Sequence, residues 1–271
     1  MDDIQIKSEL IEQLIEISKE AGKAILEVYN TNFDYQIKED LSPLTKADTI
    51  SHNIICDRLK VLTPDIPILS EENSDISFNI RSQWNQYWLV DPLDGTKEFI
   101  KRNGEFTVNI ALINNKQPVF GIIYIPVTNH LFWGSKVHGA YEIKNGMNQR
   151  KIHVSSKNTK KVAASRSHSN TEINNFLEKL DTYTIVNMGS SLKFCLIANG
   201  EIDIYPRLGP TSEWDTAAGE AILKSAGGSV IDLELRNIVY NKENLLNPNF
   251  IAANNLDTAK VILDLINYEK K

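Results

Sequence analysis

The sequence predicts an α/β protein built from two unlike halves, an α+β first half and an α/β second half. Three observations carry this. Two amphipathic helical patterns open the chain, a series of strand-like runs follows with only turns between them, and beyond residue 150 strands and helices alternate.

Taken in order, residues 4 to 29 place Leu10, Leu14, Ile15, Ile17, Ala21, Ala24, Ile25 and Val28 on one broad face, the pattern of an amphipathic helix. A second helix is predicted from Asp48 to Leu62, with Ile50, Ile54, Ile55, Leu59 and Leu62 inward. The break Thr63-Pro64-Asp65 leads to a short strand from Pro67 to Ser70, and Tyr87 to Val90 reads as a buried strand that ends at Asp91-Pro92. Phe106 to Ile113 and Val119 to Ile125 are strands separated by the turn-forming Asn114 to Pro118, and His130 to Trp133 with Ala140 to Ile143 extend an antiparallel meander. After the polar stretch Lys144 to Lys151 come a strand near Val162, a helix at 171–180, a strand at 183–187, a helix at 190–199 and a strand at 201–205. A helix at 212–226, a strand at 228–232, the strand Phe250 to Ala253 and a helix at 257–267 complete the layer. No repeat or long linker interrupts the chain, so residues 1–150 and 151–271 are expected to pack directly and to leave a cleft between them.

Composition narrows the function. With 271 residues, 42% of them hydrophobic and 24% charged, the chain can bury a substantial core, and no apolar run approaches the length of a bilayer span. The acidic start Met1-Asp2-Asp3-Ile4 is not a secretory signal, which points to the cytoplasm. No amphipathic basic helix calls for attachment to the inner face of a membrane, although loose peripheral attachment there stays open, as does the oligomeric state. Cys56 and Cys195 give neither a disulfide framework nor zinc spacing and read as reduced structural thiols. A net charge of −6 argues against a nucleic-acid binder, so an anionic small-molecule partner must be met by local charge.

The chemistry concentrates where strands end in carboxylates. In Asp91-Pro92-Leu93-Asp94-Gly95-Thr96 the two aspartates flank a proline-stiffened turn and can converge on a hard cation, with the Leu93 carbonyl as a further oxygen. Gly95 permits close backbone approach, and Thr96 offers a hydroxyl and an amide at the start of a short helix, where a phosphate is favoured. Asp-Pro and Asp-Gly are also ordinary turn formers. The spacing does not suit an aspartyl-phosphate motif, which needs its aspartates one residue closer. Ser70-Glu71-Glu72 follows a strand, so Glu71 or Glu72 can face the same cleft or form a solvated turn. Ser212 and Asp215 fit a helix capping box, and Asp48 fits the N-cap of the second helix, so each has a structural as well as a functional reading.

An acidic pair after a strand, a D-P-x-D-G-T turn and a distant W-D-x-A helix start, all present here in that order, resemble the inositol monophosphatase superfamily over almost the whole chain. The longer segments Asp91 to Ile100 and Gly189 to Cys195, with Lys97-Glu98-Phe99 where plain inositol monophosphatases tend to have T-N-F, resemble its CysQ-type 3'(2'),5'-bisphosphate nucleotidase branch. The resemblance implies a layered αβαβα sandwich of the inositol monophosphatase and fructose-1,6-bisphosphatase type. It implies hydrolysis of adenosine 3',5'-bisphosphate, the by-product of sulfate activation, to AMP and phosphate, with two or three Mg2+ ions, Mn2+ as a substitute, and inhibition by Li+ and Ca2+. Carried over by motif, Glu71, Asp91, Leu93, Asp94 and Asp215 would hold metal, Asp48 and Thr96 would position and deprotonate the attacking water, and Glu72 would support them. Glu71, Leu93, Asp94, Gly95, Thr96 and Asp215 would also border the substrate. Arg166, Ser167, His168, Lys193 and Arg207 would meet the nucleotide or its second phosphate. The alternatives are a sugar or polyol phosphatase on the same fold and a non-catalytic nucleotide or metal sensor.

Overall fold

The computed structural model describes residues 6–37, 43–157, 160–166, 171–178 and 182–267. Two helices, α1 (Ser8–Tyr29) and α2 (Lys46–Leu62), lie side by side, joined through a two-stranded antiparallel ribbon of β1 (Tyr35–Ile37) and β2 (Pro43–Thr45). They cover one face of a seven-stranded sheet whose order follows the chain: β3 (Ile68–Ser70), β4 (Gln86–Asp94), β5 (Thr107–Asn114), β6 (Gln117–Ile125), β7 (His130–Ser135), β8 (Gly139–Lys144) and β9 (Arg150–Ile152). The first pair is parallel and the others are antiparallel. Two short helices, α3 (Phe78–Arg81) and α4 (Thr96–Ile100), flank β4 along the chain.

The second sheet runs in the order β11 (Thr184–Met188), β10 (Lys161–Ser165), β12 (Ile204–Arg207), β14 (Phe250–Ala253) and β13 (Ser229–Asp232). Its first three strands are parallel, whereas β14 runs antiparallel to both its neighbours. Helices α6 (Leu192–Ala198) and α7 (Glu213–Ser225) fill the space between the sheets, and α5 (Thr171–Glu178) and α8 (Leu256–Asn267) cover the outer face. The result is the expected five-layer αβαβα sandwich.

Strand alternation explains the layering. Along β4, Trp88 and Val90 join the core under α1 and α2, while Tyr87 and Leu89 join the core beneath α6 and α7. Because both faces are buried, the central strands read as continuous apolar runs. Helix α7 lies so close to β6 that a Cβ at Gly121 would sit 2.2 Å from the Ala218 carbonyl oxygen, so this layer spacing requires a glycine there.

Several boundaries differ from expectation for physical reasons. α1 begins at Ser8 rather than residue 4, and residues 1–5 lie outside the described ones. α2 begins at Lys46 with Thr45 as its N-cap, which makes Asp48 the third helical residue and not the cap. β4 does not stop at Val90 but continues to Asp94 through a bulge: Asp91 pairs with Asn109 and Asp94 with Thr107, leaving one extra residue on β4. Pro92, which has no N–H to give a ladder, is tolerated at such a bulge. The short β1, β2, α3 and β9 carry no periodic apolar signal, and β9 spans the expected boundary at residue 150.

Candidate active site

The sequence places each acidic group at the end of a regular element. Glu71 follows β3 directly, its N–H donating to the Val90 carbonyl at 3.0 Å, so it sits beside the bulge that carries Asp91, Leu93 and Asp94. Gly95 then turns the chain with φ +92°, a conformation that favours glycine, and a Cβ there would lie 3.0 Å from the Glu105 carbonyl oxygen. Thr96 opens α4, and the first turn of α7 supplies Asp215 from the other half of the molecule. These residues line one cavity of about 470 Å³, with Lys193 of α6 and Arg207 at the end of β12 on its border.

Asp91, Asp94 and Asp215 converge, each offering a carboxylate oxygen within 4.8 Å of the others. Hydrogen bonds to neighbouring groups fix one oxygen of each, and Asp91 and Asp215 also bond to one another. Asp91 Oδ1 accepts from Leu93 N at 3.1 Å, Asp94 Oδ2 from Ser191 N at 2.6 Å, and Asp215 Oδ2 from Ser212 N at 2.9 Å and Thr211 Oγ1 at 2.7 Å. Asp48 is held in the same manner, with Oδ2 accepting from Thr45 N at 2.7 Å and Thr45 Oγ1 at 2.6 Å while Oδ1 accepts from the Thr96 hydroxyl at 3.2 Å. At Asp215 the capping arrangement orients a carboxylate that lines the cavity, and at Asp48 it orients one that meets the cavity through Thr96.

The electrostatics are those of a cluster short of positive charge. Burial, then Glu71, Asp94, Asp215 and Asp48, push the Asp91 carboxyl well above its ordinary range. Burial and then Asp215 raise Asp94 to about 7 against the opposing pull of Lys193, and burial raises Asp215 despite its two donors. An all-oxygen set of converging acids held in this state fits a hard divalent cation, which would bind the anionic forms that burial disfavours. No histidine or cysteine joins the cluster among the described residues.

Two cations border the same cavity, Lys193 beside Asp94 and Arg207 beside Asp215. Lys193 is buried, its ammonium donating to the carbonyls of Ser190 at 2.5 Å and Met188 at 3.2 Å and lying 5.0 Å from the Tyr205 ring centroid. Burial brings its pKa down to about 8. Arg207 donates to the Pro210 carbonyl at 2.5 Å, and its Nε is buried with no partner among the described residues, as is the Ser190 hydroxyl.

Four expected residues stand elsewhere or outside view. Glu72 does not line the cavity, and its charge faces His52. Arg166 makes a two-bond pair with Glu105, both contacts at 2.7 Å, rather than lining the cavity. Ser167 and His168 lie outside the described residues. Residue reading overlooked Ser190, Ser191, Thr211 and Trp214 as lining groups, and Asn109, whose amide donates to Asp94 at 3.4 Å. The one available signal was the Gly189-Ser190-Ser191 run before an apolar helical pattern, which marks a turn whose Ser190 has φ +45°.

The inositol monophosphatase family model matches residues 6–268. The Salmonella typhimurium 3'(2'),5'-bisphosphate nucleotidase CysQ is 46% identical over 244 residues, covering 89% of this chain and 98% of that protein. Among solved structures, CysQ from Bacteroides thetaiotaomicron superposes with TM-score 0.80 at 39% identity, covering 89% of this chain and 96% of that one. The extragenic suppressor protein SuhB from Bartonella henselae superposes with TM-score 0.81 at 26% identity, over 96% and 98% of the two chains.

Proposed function

The chain belongs to the inositol monophosphatase family, and we propose that its cavity removes the 3'-phosphate of adenosine 3',5'-bisphosphate with Mg2+ as the metal. The activity is that of a metal-dependent 3'(2'),5'-bisphosphate nucleotidase, a phosphoric monoester hydrolase. The observation that carries the site assignment is the convergence of Asp91, Asp94 and Asp215 from both halves of the molecule on one cavity bordered by Lys193 and Arg207.

Glu71, Asp91, Asp94, Asp215 and the Leu93 carbonyl would hold the ions. When bound, divalent cations neutralise the phosphoryl oxygens, lower the pKa of water and stabilise the leaving oxygen. The chain's own residues supply placement and proton transfer. The Thr96 hydroxyl donates to Asp48 Oδ1, so as its oxygen takes a proton from the attacking water its own proton would pass to the Asp48 carboxylate. Asp48 cannot swing away, because Thr45 grips its other oxygen. Arg207, whose Nε has no partner among the described residues, and the buried Lys193 would receive the second phosphate, a group that a plain sugar phosphate lacks.

The test is phosphate release from adenosine 3',5'-bisphosphate and from inositol 1-phosphate at equal concentration, with and without Mg2+. A Mg2+-dependent preference for the nucleotide is expected. Preference for inositol phosphate would keep the carboxylate site and replace the substrate, and tight nucleotide binding without release would favour a sensor.

A further inference from the structure

The loop from Val239 to Asn247, between β13 and β14, has no regular structure, yet buried charge holds it on two sides. Arg81, buried at the end of α3, donates to Asn241 Oδ1 at 3.1 Å and to the carbonyls of Lys242 at 2.5 Å and Glu243 at 2.7 Å. From α7, the fully buried Glu213 accepts from Asn241 N at 2.7 Å and from the Lys242 ammonium at 2.5 Å. Asn247 closes the far end, its amide donating to the Ser212 carbonyl at 3.0 Å and to Thr216 Oγ1 at 2.8 Å. Glu213 N donates to the Leu245 carbonyl at 2.9 Å, and Asn247 N to the Thr211 carbonyl at 2.8 Å.

Desolvating a guanidinium and an ion pair is a poor way to add stability, but it fixes a backbone in one conformation. What that backbone presents is Leu246. Its N–H donates to Asn244 Oδ1 at 3.0 Å, its backbone bridges to Ser212, and its side chain borders the active cavity while 46% exposed. A large apolar side chain is thus held at the edge of a cavity bordered elsewhere by carboxylates, Lys193 and Arg207 and by the rings of Trp214, Tyr205 and Phe194. Phosphates and ribose hydroxyls need donors and charge, and neither uses such a group. A nucleobase does, because its ring face is apolar and rests on apolar or aromatic side chains.

We propose that Leu246 is the contact for the nucleobase of the substrate, and that Glu213 and Arg81 are positioning residues that hold its loop. This rests on the nucleotidase reading of the cavity. It assigns the preference for a nucleoside over a ring polyol to a side chain on the loop before β14, remote in sequence from the D-P-x-D-G-T turn.

The test compares Leu246→Ser and Leu246→Met with the unaltered enzyme, reading KM for adenosine 3',5'-bisphosphate against the inhibition constant of inorganic phosphate, which carries no base. Leu246→Ser is expected to raise the ratio of the two constants about tenfold, the scale of a small apolar contact, and Leu246→Met to restore it. An unchanged ratio in Leu246→Ser, or an equal rise in both constants, overturns the base contact while leaving the hydrolase intact. Failure of the unaltered enzyme to release phosphate from the nucleotide is a different result: it removes the nucleotidase reading, and this inference falls with it.

Discussion

Helix α7 carries three carboxylates between positions 213 and 220, and their surroundings could hardly differ more. Glu213 and Glu220 are fully buried and each faces a cation, Lys242 at 2.5 Å and Lys224 at 2.6 Å, with the Tyr240 hydroxyl donating to Glu220 at 2.6 Å. Asp215 converges instead with two other acids, Asp91 and Asp94, and the cation that acts on it, Arg207, is shared with the cavity. Burial alone therefore does not mark a functional acid. The sign of the neighbouring charge does, because a fold that needs only stability neutralises its buried carboxylates, and one that leaves three of them together has left room for a cation.

The largest effect should come from removing charge on the uncompensated side. Asp91→Asn is expected to lower kcat about a thousandfold, on the scale of losing a principal electrostatic contact in the transition state. Its metal-free melting temperature should not fall, since the substitution relieves repulsion from Glu71, Asp94, Asp215 and Asp48. Phosphate-release assays and metal-free melting curves check both halves, and a destabilised but active Asp91→Asn enzyme would break the contrast.

On the compensated side the outcome should be reversed. Glu213→Ala leaves the N–H groups of Asn241 and Lys242 without this acceptor and the Lys242 ammonium with only the Val239 carbonyl and Asn247 Oδ1, and is expected to cost about 3 kcal/mol of stability, as breaking a buried pair does. Urea denaturation measures it. A loss of kcat at unchanged stability and unchanged KM would place Glu213 with the site acids.

The same contrast explains what the sequence could and could not disclose. Asp91, Asp94 and Thr96 are legible because they are neighbours in one turn after an apolar strand. Asp48 and Asp215 are legible only as alternatives, since the third residue of a capped helix and a site acid call for the same residue type, and the structure places both in capping boxes, Asp215 at the cavity and Asp48 bonded to Thr96. The two halves and the order of their elements follow from strand and helix periods and the five layers from the family resemblance, but β9 and α3 are too short to show any period. Arg81, Glu213 and Leu246 were silent because their relation spans distant segments: Arg81 reaches Asn241 across 160 positions, a pairing that no local pattern encodes.

The smallest effect, and the sharpest on charge, is the pH dependence of stability. Asp94 has its pKa raised to about 7, and Asp91 and Asp215 are raised as well, so between about pH 4 and 7 the folded state binds more protons than the unfolded one. Their contribution to metal-free stability is thus present in acid and is lost as pH rises through the folded pKa values. Bound cation requires the anionic forms, so the rise in melting temperature produced by Mg2+ should grow from pH 5.5 to pH 8. His52 and His130, whose pKa values burial lowers, tilt stability in the opposite direction and do not produce this trend. Asp94→Asn should flatten the metal-free slope, whereas Glu213→Gln should leave most of it in place. Melting curves across that range, with and without Mg2+, decide it, and a Mg2+ shift equal at both ends would mean that the three aspartates are already charged and neutralised within the fold.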